Sequence, residues 1–158
     1  MGVLFNFGEL DEKATIQKVG KFFKTDVVRL ERMANSSLNS ALRSPNLDKI
    51  GGHANGNHVE DMMMNSLNAK QELRLIVDTI QLCDLDNKTI LTEECIHNKS
   101  PLKVMMDDLL CSKSNYYKKR QDALLEFADR YANKGRDLHV YKKSAELAFC
   151  NGLTPKKS

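Results

Sequence analysis

The chain has 158 residues, 41% of them hydrophobic and 28% charged, which excludes a disordered polyelectrolyte and leaves room for one domain or a small domain with an arm. The formal charge is only +3, but residues 13–49 hold eight Lys/Arg against three Asp/Glu, residues 112–143 nine against four, and residues 50–111 five against ten. Two basic patches on a nearly neutral chain point to a polyanionic partner. Scarce Gly and Pro, absent Trp and the lack of alternating β-branched runs point to an all-α fold.

The opening "MGVLFNFGELDEK" has no basic n-region, no long apolar core and no small-residue cleavage site, so no signal peptide is expected. Asn6 stands where a myristoylation signal has Ser or Thr. No run approaches the roughly 18 apolar residues of a membrane span. Cys83, Cys95, Cys111 and Cys150 form no CxxC pair. A cytoplasmic protein with reduced thiols and no membrane partner is the expectation.

Residues 12–34 place Ile16, Val19, Phe23, Val27, Leu30 and Ala34 at three- and four-residue steps, which predicts a helix. Lys13, Lys18, Lys21, Lys24, Arg29 and Arg32 fill its other faces and are read as a solvated surface. Residues 35–57 are rich in Asn, Ser and Gly and read as a linker. Gly51 and Gly52 lack the Gly-Lys-Ser/Thr and the preceding strand of a phosphate loop, and His53 and His58 lack a ligand cluster.

A long second helix is predicted from Asn57 or His58, with Glu60 in the capping-box position. Its apolar set is Val59, Met62, Met63, Leu67, Leu73, Ile76, Val77 and Ile80. The "MMM" run at 62–64 could be an adaptable binding surface; the preferred reading puts Met62 and Met63 in the core and leaves Met64 incidental. This helix carries more apolar surface than one neighbour would cover, which would suit a homodimer.

Residues 86–96 read as a helix capped by Asp86 or Asn87, with Ile90, Leu91 and Cys95 inward. Residues 100–110 open on Ser100 as cap and Pro101 at the first helical position. Ser112 then caps a helix over 113–131. Its first turns hold Lys113, Ser114, Asn115, Lys118 and Gln121, and the later ones hold Ala123, Leu124 and Phe127 for the core. A short helix, a tight turn and a helix that starts basic is the helix-turn-helix order. A recognition helix needs donors for base edges and charge for phosphates at its start, and apolar grip further on. Tyr116 shares the face of Ala123 and Leu124 and is read as core. Tyr117, about 100° further round, is free to reach a phosphate or a thymine methyl.

The runs "LLCSKSNYYKKRQDALLEFADRYA", "NGNHVEDMMMNSLNAKQELRLIVDTI" and "DEKATIQKVGKFFKTDVVRLERMA" together resemble the ArpU family of phage late-gene transcriptional regulators. The resemblance runs from about residue 11 to 131. It is most specific in the Ser112-x-Ser114-x-Tyr116-Tyr117 run with "ALLEFA", and in "GNxxED" at 56–61. It implies a helical N-terminal arm and a C-terminal helix-turn-helix domain similar to the promoter-reading domain of sigma factors. It also implies a DNA-binding activator of late, packaging or lysis genes of a phage or related mobile element, acting in a bacterial host cell. Ser112 would cap the recognition helix, with Lys113, Ser114, Asn115, Tyr117 and Lys118 facing the groove. Two residues depart from the family pattern. Leu110 stands where the turn usually has Gly, and Lys119 stands where an apolar residue usually packs, so its stem must snorkel.

The expected organisation is a helical region over 11–83 containing the 35–57 linker, a DNA-binding domain over 84–133, and a tail over 134–158 with no assigned role. Double-stranded DNA is the expected partner, with RNA polymerase and a second copy of the chain as further candidates. No cofactor, metal or catalytic residue is expected. Glu93/Glu94 and Asp107/Asp108 are adjacent rather than face-matched for acid–base work, and Cys83, Cys95, His97 and Cys111 match no zinc spacing. The alternative is a non-catalytic helical interaction module that binds RNA polymerase or a packaging protein through the acidic surface of residues 84–111.

Overall fold

The computed structural model describes residues 8–43 and 57–142; the described residues are mostly helical, with one isolated antiparallel bridge between Leu10 and Tyr141. Gly51, Gly52, His53, Cys150 and the tail beyond Lys142 lie outside the described residues, as does the side chain of His58.

Helix α1 runs unbroken through the segments Glu12–Lys21, Phe22–Asp26 and Val27–Ala34. Asp11 starts it, its carboxylate accepting from the Ala14 N–H at 3.0 Å, which satisfies one of the donors a helix start leaves free. The middle segment is a π turn, with the Val27 N–H bonded back to the Phe22 carbonyl. The wider turn changes which residues face inward. The three-and-four spacing picks out Phe23 but passes over Phe22. In the fold Phe22 is buried and Phe23 packs beside it, rings 5.5 Å apart and edge to face. The six Lys/Arg residues assigned to the solvated surface of α1 are all exposed.

Asn35 ends α1 in the left-handed conformation (φ 49°), and the chain turns directly into α2, Leu38–Arg43. This helix lies inside the stretch read as linker. Its Asn/Ser composition hides two sequence-local supports, the Glu31 carboxylate accepting from the Leu38 N–H at 2.9 Å and the Ser37 hydroxyl from the Ser40 N–H at 3.1 Å. Leu38 and Ala41 are buried, and the Arg74 guanidinium donates to the Ala41 carbonyl at 2.8 Å, tying α2 to the next helix.

Helix α3, Asn57–Leu82, buries Ala69, Leu73, Ile76, Val77 and Ile80 against α1, α2 and the C-terminal helix. Its first turns do not join the core. Met62 is 61% exposed, Met63 39% and Met64 54%, and Val59 is exposed as well. The assignment of Met62 and Met63 to the core is therefore corrected. Periodicity marks an apolar face but carries no information on how far the neighbouring helices extend along it.

Helix α4 comprises Leu85–Leu91 and a π segment Thr92–Ile96, and α5 comprises Pro101–Lys103 and a second such segment Val104–Leu109. The expected caps of α4, Asp86 and Asn87, fall inside the helix, which starts at Leu85. Both side chains instead reach α6, Lys113–Ala132: Asp86 pairs with Lys119, and the Asn87 amide donates to Glu126 at 2.7 Å. Glu126 also accepts from the Asp84 N–H and from Arg130, so one carboxylate on α6 closes the start of α4.

The core is one cluster. Phe22 and Phe23 of α1 meet Phe127 and Tyr131 of α6, with Phe127 stacked on Tyr131 at 5.1 Å and Phe23 at 4.9 Å from Phe127. The Tyr131 hydroxyl donates to Glu72 on α3, so a single buried ring touches or bonds three helices. After α6 the chain folds back: Leu138 is buried, the Asp11 N–H donates to the Val140 carbonyl at 2.8 Å, and the Val140 N–H donates to Thr15 at 3.0 Å.

Candidate nucleic-acid interface

Helix α6 begins after a three-residue turn, Leu110–Cys111–Ser112, that follows α5. Leu110 stands in the left-handed region (φ 49°, ψ 48°), a conformation that suits Gly and taxes a side chain. Ser112 is extended and accepts from the Asn115 N–H at 3.3 Å, so the cap expected of it is in place. The free N–H groups and partial positive charge of the helix start therefore lie beside Lys113.

Ser112, Lys113, Ser114, Asn115, Tyr117, Lys118 and Gln121 are all exposed. At 100° per residue they form two adjacent rows: Lys113, Tyr117 and Gln121 at four-residue steps, then Ser114 and Lys118 beside them. Asn115 flanks Lys118 on the far side, and Asp122, also exposed, closes the surface one turn on. Tyr116 is buried at 1% exposure, as are Ala123, Leu124 and Phe127, which fixes the rotation of the helix. The Tyr117 and Tyr116 rings meet edge to face at 5.5 Å, so an exposed aromatic is braced by a buried one.

The four cations of this stretch divide into two kinds. Lys119 pairs with Asp86, and the Arg120 Nε donates to Glu94 at 2.9 Å, while Glu94 also accepts from the Tyr116 hydroxyl. Lys113 and Lys118 make no ion pair among the described residues. Lys119 does not merely snorkel past a core position; it finds a carboxylate 33 residues earlier in the chain. Hydrogen bonding and the charge of Asp86 raise its pKa. No local pattern signals Asp86 or Glu94, because the pairing exists only once α4 packs across α6.

Pairing within the segment and with α6 together consumes much of the acidic surface of residues 84–111. Glu93 holds His97 and Lys99, Asp108 holds Lys99 at 3.1 Å, and Asp86 and Glu94 face α6. Cys83 is buried and Cys95 packs against the core; burial pushes both thiols up to about 12, aided by nearby carboxylates, so both stay protonated. Among the described residues no group of three or more His, Cys, Asp or Glu is placed to hold a metal ion, and no helix is long and apolar enough to cross a membrane.

Residues 53–128 match a family described as a protein of unknown function, DUF1492. That span takes in α3, α4, α5 and α6 as far as Ala128, and leaves α1 and the returning tail outside. No curated protein and no solved structure gives a significant match.

Proposed function

We propose that the protein is a non-catalytic, sequence-specific DNA-binding transcriptional regulator that reads duplex DNA with the start of α6. The observation that carries the reading is the division of cations on that helix. Two that could have faced solvent are tied down by Asp86 and Glu94, while Lys113 and Lys118 stay exposed among Ser114, Asn115, Tyr117 and Gln121. That is the mixture of point charge and amide and hydroxyl donors that phosphate and base-edge contacts require. Helix α5, the turn and α6 follow one another in helix-turn-helix order, with Ala123, Leu124 and Phe127 holding α6 to the core behind the proposed reading surface. The resemblance to the ArpU regulators adds the gene class, namely activation of late, packaging or lysis genes in a phage or mobile element.

The competing interaction-module reading relies on the acidic surface of residues 84–111, and much of that charge is already spent inside the molecule. The two readings part on one experiment. Purified chain is mixed with fragments of the genome that encodes it, and retained fragments are sequenced over a range of salt. The DNA-reading account expects a small set of fragments to be enriched, with log K falling linearly in log salt. No enrichment over bulk DNA at any salt would overturn it.

A further inference from the structure

On the side of the molecule formed by α1, the end of α4 and α6 lies a groove of about 770 Å³. Its α1 wall runs from Ile16 through Gly20, Phe23 and Lys24 to Val28, and Glu94, Cys95, Arg120 and Leu124 form the other wall. Ile16, Phe23, Val28, Cys95 and Leu124 make much of it apolar. Among the described residues its one lining carboxylate, Glu94, is paired with Arg120, while Lys21 and Lys24 on the rim are exposed and make no ion pair. An apolar trough with uncompensated positive charge along one edge is complementary to an amphipathic segment bearing carboxylates.

Gly20 supplies a second, independent observation. It sits in the interior of a helix, where glycine weakens the structure, and a Cβ built on it meets nothing within 4 Å. Packing within the fold does not require glycine there. Its effect is to leave the middle of the groove open. The α1 wall spans the residues from Ile16 to Val28, about 18 Å at the helical rise, which matches a helix of about three turns.

We propose that this groove is the docking site for an acidic amphipathic helix, about three turns long, of a partner protein. Its apolar residues at i, i+3, i+4 and i+7 would lie on Ile16, Phe23, Val28 and Leu124, and its carboxylates would face Lys21 and Lys24. Duplex DNA, the other polyanion at issue, has no apolar face to offer such a trough. The proposal stands apart from the DNA-reading surface on α6 and does not depend on it.

The test selects random twelve-residue peptides displayed against the full chain, then measures the enriched peptides by fluorescence anisotropy. The expected peptides carry Leu, Ile or Phe at helical spacing together with Asp or Glu. Gly20→Ala should raise the melting temperature and keep binding. Gly20→Leu, which fills the groove, should keep the fold and weaken binding about tenfold or more, as should the Lys21→Glu/Lys24→Glu pair. Val28→Glu, at an exposed position on the wall, gives a second block should Gly20→Leu fold poorly. No enrichment, enriched peptides without acidic residues, or binding that survives both Gly20→Leu and Val28→Glu would overturn the proposal. Loss of duplex DNA binding in Lys21→Glu/Lys24→Glu would also overturn it, by assigning those lysines to nucleic acid.

Discussion

Leu110 carries a conformational cost that nothing in its surroundings repays. Its φ is 49° and the residue is 81% exposed, so it holds a left-handed turn while burying little. Leu110→Gly should stabilise the protein by about 0.5–1 kcal/mol, the relief of left-handed strain less the added freedom of the unfolded chain. A fall in melting temperature would show that the leucine makes a contact that offsets the strain. The neighbouring lysines give a sharper contrast. Lys118 is exposed and makes no ion pair among the described residues, whereas Lys119 is held by Asp86. Lys118→Ala should lower the salt slope of DNA binding by about 1, and Lys119→Ala should leave that slope nearly unchanged. The opposite pattern would mean that α6 is rotated relative to the proposed groove. The core positions of α6 were legible in the sequence, because Tyr116, Ala123, Leu124 and Phe127 repeat at helical spacing. The fate of Lys119 and Arg120 was not, since their partners are brought in by α4.

The π turns and the returning tail decide how the helices fit together. The chain leaves α6 over the ring of Tyr131, and the Gly135 N–H donates to the Tyr131 carbonyl at 2.7 Å. A Cβ on Gly135 would lie 2.6 Å from Cε1 and 2.7 Å from Cζ of that ring, which is fully buried and cannot yield. Gly135→Ala should therefore destabilise the fold by about 1–3 kcal/mol, read from denaturant midpoints. Further along, His139 is clamped by Asp129 through Nε2 and by Asp137 through Nδ1, each at 2.6 Å. Both ring nitrogens must donate, so the cation is the form that fits. Burial alone would push its pKa down, but the hydrogen bonds and charges of Asp129 and Asp137 outweigh burial and raise it. A raised folded pKa gives stability that is complete below the unfolded value, about 6.5, and is lost as pH climbs through the folded one. The gap in melting temperature between the native chain and His139→Ala should thus be widest in mild acid and shrink toward alkaline pH. A gap that is constant with pH would contradict a charged His139. Helix starts at Ser100 and Ser112 could be read from their caps. Helix α2 could not, because its Asn/Ser-rich sequence looks like linker until Glu31 and Arg74 are in place. The pairing of Phe22 with Phe23 was hidden by a π turn that breaks the expected step.

At the scale of the whole molecule, one core crosses the position near 83–84 where the sequence suggests a boundary. Phe22 and Phe23 from the first helix pack on Phe127 and Tyr131 from the last, and Tyr131 reaches Glu72 between them. The α-helical class followed from composition and periodicity, whereas this closure depends on contacts more than a hundred residues apart, which periodicity does not encode. The exposed Val59, Met62 and Met63 lie where the apolar pattern of α3 continues beyond the helices that cover it, whereas Met64 is exposed as its incidental place in the pattern implied. The consequence for function is that α6 is held by α1, α3 and α4 along one side, from Tyr116 onward, while Lys113, Ser114, Asn115, Tyr117, Lys118 and Gln121 stay exposed. The central claim is that this start reads DNA. It is tested most directly by measuring the affinity of a Lys113→Ala/Asn115→Ala/Lys118→Ala variant for the best enriched fragment, across a salt series. The account predicts an unchanged melting temperature, specific affinity lower by about thirtyfold or more, and a shallower salt slope. Native affinity and native slope in that variant would contradict it.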